Sequence, residues 1–195
     1  MNLRPTEQLQ QIASMQFPIS KNNALSFASV VDLLLDAICV VDAHGHFVFA
    51  SAACESIFGY TPQEMIGRRM IDMVHPEDRE MTLQAAQRIM SGQTHLHFEN
   101  RYLRKDGQVV HVMWSARWSD SDRLRIAVAR DVTARKRSEL LQAATYAISE
   151  AAHAAGDLVT LFGKIHQIIN SLFPSPNFTV ALIDSKTRSL EFPYS

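Results

Sequence analysis

Three consecutive segments in which apolar and polar residues alternate constrain the fold of this chain more than any other feature. They occupy residues 94–104, 108–119 and 123–133. A period of two residues is typical of a half-buried β-strand. Asp106 and Gly107 lie between the first two segments and are a strong signal for a tight hairpin. The pattern therefore predicts three neighbouring antiparallel strands.

Two shorter strands are predicted on the N-terminal side of these segments. Residues 37–42 are apolar and rich in β-branched side chains, a turn follows at 43–45, and residues 46–50 form the second strand. Helix signals fill the chain between residues 51 and 92. Because strands and helices are segregated along the chain, we predict an α+β fold over residues 37–133. In this fold, short helices flank one five-stranded antiparallel sheet.

Capping residues mark the predicted starts of the helices. We expect Ser51 to cap the first of them. Thr61 is expected to cap the next, with Pro62 at its first position and Glu64 three residues after Thr61, the pattern of a capping box. A longer helix is predicted to open at His75.

The segments on either side of this unit carry other patterns. Residues 1–21 are polar and predict a flexible tail. Apolar residues at helical spacing predict an N-terminal helix over 22–36. Residues 134–155 predict a linker helix, because four of them have the 3-4-3 spacing of a coiled-coil seam. These four are Leu141, Ala144, Ile148 and Ala151. Residues 156–195 predict a helix and two strands, a smaller α/β unit that we expect to be truncated.

Charge and composition exclude several classes of protein. The formal net charge is -1, with 19 Lys and Arg against 20 Asp and Glu. This balance argues against nucleic acid or another polyanion held by bulk charge. The apolar runs are far shorter than the roughly 20 residues that cross a bilayer. Cys39 and Cys54 are too few for a disulfide framework. We therefore expect a cytoplasmic protein with no membrane span in this segment.

Four motifs, in order along the chain, resemble those of PAS domains. Residues 58–67 read FGYTPQEMIG and resemble the helical signature of the family, and residues 75–79 resemble the start of its long helix. Residues 102–107 resemble its central hairpin, and residues 130–136 its closing strand and exit. The resemblance covers about residues 25–135 and implies a PAS-type fold.

The segment from Leu141 to Tyr194 is similar to the opening of a GAF domain, with residues 177–184 as its first strand. Together the two segments resemble sensor regions that precede bacterial histidine kinases, diguanylate cyclases or cyclic di-GMP phosphodiesterases. They imply a sensory module that detects a small ligand or a redox state, or mediates dimerisation, and controls an output domain in cis. The alternative is a ligand-free protein–protein interaction module of a histidine kinase.

No catalytic residues are assigned within the chain. The sequence contains no P-loop, no GxGxxG and no Ser/His/Asp arrangement. Any enzymatic activity is therefore expected in a domain beyond Ser195. For the sensory module itself we expect a homodimer, formed through the N-terminal helix at 22–36 and the linker helix at 134–155.

A candidate pocket is predicted on the concave side of the sheet. Its residues are Trp114, Phe98, Tyr102, Val112 and Ala116. An indole in this position is suited to stacking on a flavin or to lining an apolar ligand cavity; the alternative is that it simply fills the core. The ligand is left open at this stage.

Haem is disfavoured as the cofactor. A haem-binding PAS domain usually supplies an axial His from its long helix, and here His75 lies at the cap, too far out. The histidines left to stand in are His95, His97 and His111. A cysteinyl–flavin photocycle is excluded, because residues 68–72 carry no cysteine where that motif falls. No metal site is predicted: His95 and His97 share a strand face, but no carboxylate or thiol accompanies that pair.

Four residues are predicted to carry the output signal. In PAS domains, the Asp-x-Thr that corresponds to Asp131 and Thr133 couples the sheet to the exit helix. We expect Asp131 to accept a charged hydrogen bond from Arg104 or Lys105 on the neighbouring hairpin.

Overall fold

A computed structural model of the chain describes residues 16–18, 24–26, 31–92, 95–172, 177–183 and 189–194. The chain divides into two compact units, Met1–Thr133 and Ala134–Ser195.

The described part of the N-terminal segment contains a small ribbon, followed by a short helical stretch at Val31 and Asp32. Strand β1 (Gln16–Pro18) pairs antiparallel with β2 (Ala24–Ser26). At β2 the backbone is extended where a helix over 22–36 is predicted, whereas Val31 and Asp32 within the same range are helical. The tail predicted over 1–21 contains β1. Most of the stability of a helix comes from packing of its apolar face, yet Leu35 remains 92% exposed. The rest of the predicted tail, and residues 22–23 and 27–30 of the predicted helix, lie outside the described residues.

One antiparallel sheet of five strands organises the first unit. The strands are β3 (Ala37–Asp42), β4 (Phe47–Ala50), β5 (His95–Leu103), β6 (Val109–Ser119) and β7 (Leu124–Asp131). Their order across the sheet is β4-β3-β7-β6-β5. Since β7, the last strand, pairs with β3 and β6, the strand that leads to the exit lies at the centre of the sheet. The predicted α+β fold with one five-stranded sheet is confirmed.

Short helices connect β4 to β5 and cover the inner face of the sheet. They are α1 (Ala53–Phe58), α2 (Pro62–Met65), α3 (Met70–Met73), a 3-10 turn (Pro76–Asp78) and α4 (Arg79–Met90). The capping box of α2 is confirmed: Thr61 Oγ1 accepts from the Glu64 backbone N at 3.3 Å, and the Glu64 carboxylate accepts from the Thr61 backbone N at 3.0 Å.

Ser51 does not cap α1, and that prediction is wrong. Its hydroxyl oxygen instead accepts a hydrogen bond from the backbone N of Ile38 at 2.9 Å, and Ala52 occupies the N-cap position. The side chain is buried. Ser51 therefore joins the end of β4 to the start of β3, where an unpaired backbone N–H would be costly.

An aromatic cluster forms the centre of the core. The ring centroids of Phe58 and Tyr102 are 5.2 Å apart, those of Tyr102 and Trp114 5.4 Å, and those of Phe58 and Trp114 6.1 Å. These separations are favourable for aromatic pairs. The cluster fixes α1 against β5 and β6.

The second unit contains two helices and a hairpin. Helix α5 spans Thr133–Ala154 and α6 spans Leu158–Leu172; β8 (Val180–Ile183) pairs antiparallel with β9 (Leu190–Tyr194). Asp157 caps α6 by accepting from the Thr160 backbone N at 2.8 Å. Among the helices of the described residues, none combines the length and apolarity needed to cross a bilayer.

Candidate functional site

An internal cavity of about 40 Å³ lies between α4 and the inner face of the sheet. Most of its wall is apolar, formed by Cys39, Val41, Phe47, Met70, Ala85, Ala86, Ile89, Phe98, Ala116 and Ala127. Five further residues bring polar atoms to it: Thr82, Asn100, Tyr102, Trp114 and Arg125. Such a wall suits a small ligand with an apolar body and a polar end.

Four of the five predicted pocket residues lie together at this cavity. They are Trp114, Phe98, Tyr102 and Ala116. Trp114 is buried, with an exposed fraction of 8%. Val112 is fully buried but lies outside the cavity wall, opposite Asp131 in the register of β6 and β7.

A chain of buried hydrogen bonds joins the cavity wall to α4. Trp114 Nε1 donates to Asn100 Oδ1 at 2.9 Å, and Asn100 Nδ2 donates to Thr82 Oγ1 at 2.8 Å. Thr82 Oγ1 then donates to the backbone oxygen of Asp78 at 2.7 Å. Trp114, Asn100 and Thr82 all line the cavity. A molecule in the cavity therefore contacts the residues whose hydrogen bonds join the sheet to α4.

Arg125 is the cavity residue that sequence reasoning missed. On β7 the side chains of Arg125, Ala127 and Ala129 are buried, whereas Ile126 and Val128 on the opposite face are exposed. Burial lowers the pKa of the Arg125 guanidinium from its ordinary value. The apolar residues of this strand fall on both faces, so alternation alone does not show that the arginine faces inward.

Two buried thiols lie beside the cavity. Cys39 Sγ and Cys54 Sγ are 3.6 Å apart, and both cysteines are free. The hydrogen bond with Cys54 and burial together raise the pKa of the Cys39 thiol well above its usual value. The Cys39 side chain therefore remains a neutral thiol at physiological pH and is a poor nucleophile.

An ion pair anchors the start of α4 to β5. Asp78 accepts from the Arg101 backbone N at 2.7 Å and from Arg101 Nη2 at 2.6 Å. The Arg101 guanidinium, through these side-chain hydrogen bonds, holds the pKa of the Asp78 carboxyl below its ordinary value. The anchor fixes the end of the helix that carries Thr82.

The exit from the sheet is held by β6. The backbone N of His111 donates to Thr133 Oγ1 at 3.0 Å, and the backbone oxygen of His111 accepts from Val132 N at 2.9 Å. Asp131 Oδ1 accepts from the Thr133 backbone N at 2.8 Å. Asp131 and Thr133 thus come together as the predicted exit pair, at the first residue of α5.

Arg104 and Lys105 do not join that pair, so the predicted bond to Asp131 is wrong. Arg104 Nη1 donates to the backbone oxygens of Ser56 and Ile57 at 2.8 and 2.5 Å. Lys105 Nζ donates to Glu64 Oε1 at 2.6 Å. The hairpin between β5 and β6 folds over the C-terminal end of α1, where free carbonyls attract cations.

The cavity is too small for the larger cofactors considered. A volume of about 40 Å³ accommodates a few non-hydrogen atoms, so a flavin ring or a haem does not fit between α4 and the sheet in this conformation. The cavity wall, formed wholly by described residues, contains no histidine.

Comparison with known proteins defines the class of this unit. Residues 47–128 match the model of the family described as the PAS fold. The matched range runs from the start of β4 into β7. Residues 47–128 therefore have the PAS fold, which is typical of sensory signal-transduction modules.

Solved structures similar to this chain include PAS domains and domains of sensory box proteins. A domain of a sensory box sensor histidine kinase/response regulator from Geobacter sulfurreducens is 25% identical, with a TM-score of 0.48 over 54% of this chain and 90% of that one. A PAS domain from Colwellia psychrerythraea is 24% identical, with a TM-score of 0.47 over 54% of this chain and 93% of that one. A sensory box histidine kinase/response regulator from Burkholderia thailandensis is 20% identical, with a TM-score of 0.48 over 57% and 88%. The GAF part of the resemblance lies beyond the family match and stays a prediction.

Proposed function

We propose that this PAS domain is a sensory module that binds a small molecule in its internal cavity. Binding of that molecule changes the hydrogen bonds that hold the first residue of α5. The observation that carries the proposal is the double role of β6. This strand contributes Trp114 and Ala116 to the cavity wall, and its backbone at His111 holds Thr133, the first residue of α5.

The first step of the proposed signal runs from the ligand to the sheet. A molecule in the cavity contacts Trp114 and Asn100, whose hydrogen bonds connect β6, β5 and α4. A buried network of this kind is sensitive to small displacements, because an unpaired polar group in the interior is destabilising. Occupancy therefore favours one arrangement of β6 against α4 over another.

The second step runs from β6 to α5. Trp114 and His111 lie three residues apart on the same strand, and His111 makes two backbone hydrogen bonds to the segment 132–133. A shift of β6 changes the geometry of both bonds. A ligand acts as a signal only through a difference in its affinity for the two arrangements. The output domain that we expect downstream is of the histidine kinase or cyclic di-GMP type, as the sequence resemblance implies.

A cavity-filling variant tests this proposal without knowledge of the ligand. Ala127→Val adds two methyl groups to the cavity wall on β7, whereas Ile126→Val changes the neighbouring exposed residue on the opposite face. We expect Ala127→Val to change amide hydrogen exchange at His111 and Thr133 at least threefold, and Ile126→Val to leave it unchanged. Equal exchange in the two variants and the wild type would contradict the proposal.

A second candidate function is self-association through α5. Leu141 is 59% exposed, although it lies on the predicted coiled-coil seam. Leu140 and Tyr146 on the same helix are exposed as well. Exposed apolar side chains on a helix suit a partner helix. A homodimer of this module is therefore proposed together with its sensory role.

A further inference from the structure

Arg125 brings a positive charge to the wall of the cavity. It lies on the central strand β7, opposite Val41 of β3 and Trp118 of β6. Its exposed fraction is 6%, and its side chain shares the inner face of the sheet with Ala127, also a wall residue. The small side chain of Ala127 leaves the guanidinium room within the cavity.

The guanidinium has no anionic partner among the described residues. The hydrogen bond recorded for it goes from Nη2 to Met70 Sδ at 3.2 Å, and a thioether is a weak acceptor. The cavity wall contains neither Asp nor Glu. Besides Arg125, the titratable groups in the wall are the thiol of Cys39 and the hydroxyl of Tyr102. The hydrogen bond with Cys54, together with burial, raises the pKa of the Cys39 thiol. Burial raises the pKa of the Tyr102 hydroxyl. Both are neutral at physiological pH.

A buried arginine in such a place needs an anion. The guanidinium stays protonated in proteins and offers five N–H donors in a planar fork. Burial of a charge without a counter-ion is unfavourable, and buried charges are found paired. With one donor on a thioether, the fork retains the capacity to bind an anion that enters the cavity.

The rest of the wall selects the kind of anion. A carboxylate matches the fork of a guanidinium in two parallel hydrogen bonds. A dianion would bring a second charge against Phe98, Ile89 and Ala116, where the wall offers no second cation. We infer that the cavity binds a small monocarboxylate, with its carboxylate on Arg125 and a short apolar body against the apolar wall. This inference rests on the proposed sensory function and names its ligand class.

Paired ligands of equal size test the inference. The probes are formate, acetate, propanoate and butanoate, each compared with its uncharged carboxamide. The readout is the NMR signal of the Trp114 indole N–H, titrated in the whole chain. We expect saturable shifts with at least one carboxylate, and binding at least tenfold weaker for the matching carboxamide.

Two arginine variants assign the effect to its residue. Arg125→Gln removes the charge at the cavity and should weaken carboxylate binding at least tenfold. Arg117→Gln removes an exposed charge of the same sheet and should leave binding unchanged. If Arg125→Gln does not fold, the comparison of carboxylate with carboxamide in the wild-type chain decides the matter.

The outcomes separate this inference from the sensory function. Equal binding of carboxylate and carboxamide, or carboxylate binding that survives Arg125→Gln, overturns the anion site but leaves a ligand-binding cavity. Absence of binding by all four carboxylates also overturns it. The sensory proposal itself is tested separately by the exchange experiment with Ala127→Val, which uses no ligand.

Discussion

Asp78 and Arg125 are both charged and both buried, yet their surroundings give them opposite roles. Asp78 accepts hydrogen bonds from the backbone and the side chain of Arg101, so its charge is compensated within the fold. Arg125 has no carboxylate partner among the described residues and faces a cavity. The first residue stabilises the domain, and the second is suited to a ligand.

The Asp78–Arg101 pair predicts a loss of stability in acid. The pKa of Asp78 is depressed in the folded state. Its contribution to the free energy of unfolding is therefore complete above the pKa of the carboxyl in the unfolded chain, near 3.9. That contribution is lost as the pH falls below this value through the folded pKa. Hydrogen bonds to charged groups contribute roughly 1.5–3 kcal/mol. We expect Asp78→Asn to lower the free energy of unfolding by about that amount at pH 7, measured by chemical denaturation.

The acid limb of the pH profile gives the sharper comparison. The difference between wild type and Asp78→Asn should shrink as the pH falls below about 4. Asp72→Asn, at an exposed position, is the matched control and should follow the wild type. A difference that stays constant over this range would show that Asp78 acts through packing rather than through its charge.

The sequence did not predict the hydrogen-bond partners of charged side chains where the partners lie far apart along the chain. The sequence placed Asp131 beside Arg104 or Lys105, but the two cations bind the end of α1 and Glu64 instead. Arg125 was missed because a charged residue in an alternating strand is normally exposed. Such pairings depend on which elements cover the inner face, and local pattern carries no information on that.

At the scale of elements, local signals were reliable wherever the backbone itself imposes a requirement. Asp106-Gly107 marks the turn between β5 and β6, where Gly107 has a φ of +82°. Thr61 and Glu64 form the expected capping box. By contrast, the helix over 22–36 was predicted from an Asn cap and from apolar residues at helical spacing, and β2 occupies part of that segment. A stripe of apolar residues stabilises a helix only where a surface exists to cover it.

Helix α5 is the element on which self-association is predicted. A charge at the seam is strongly unfavourable in an interface between helices. We expect Leu141→Glu to shift the chain towards the monomer in analytical ultracentrifugation and to weaken the dimer at least tenfold. Gln142→Glu, on the adjacent exposed position, should keep the wild-type association state. If both variants associate as the wild type does, α5 is not the interface.

At the scale of the whole molecule, the proposed signal runs between two places in the first unit, the cavity and the exit at Thr133. They are connected through β6, which carries Trp114 at the cavity and His111 at the exit. The sequence predicted both places through Trp114, Asp131 and Thr133. It did not predict the hydrogen bonds from Trp114 to α4, because these depend on the packing of α4 over the sheet.

A double-mutant cycle between Ala127→Val and Thr133→Val tests this connection most directly. The first variant fills the cavity, and the second removes the hydroxyl that accepts from His111 N while keeping the shape of the side chain. The free energy of unfolding is measured for the wild type, the two single variants and the double variant. Independent, distant sites add to within about 0.5 kcal/mol. If β6 connects the cavity to the exit, the coupling energy is clearly larger than that limit. Additive effects of the two substitutions would contradict this connection.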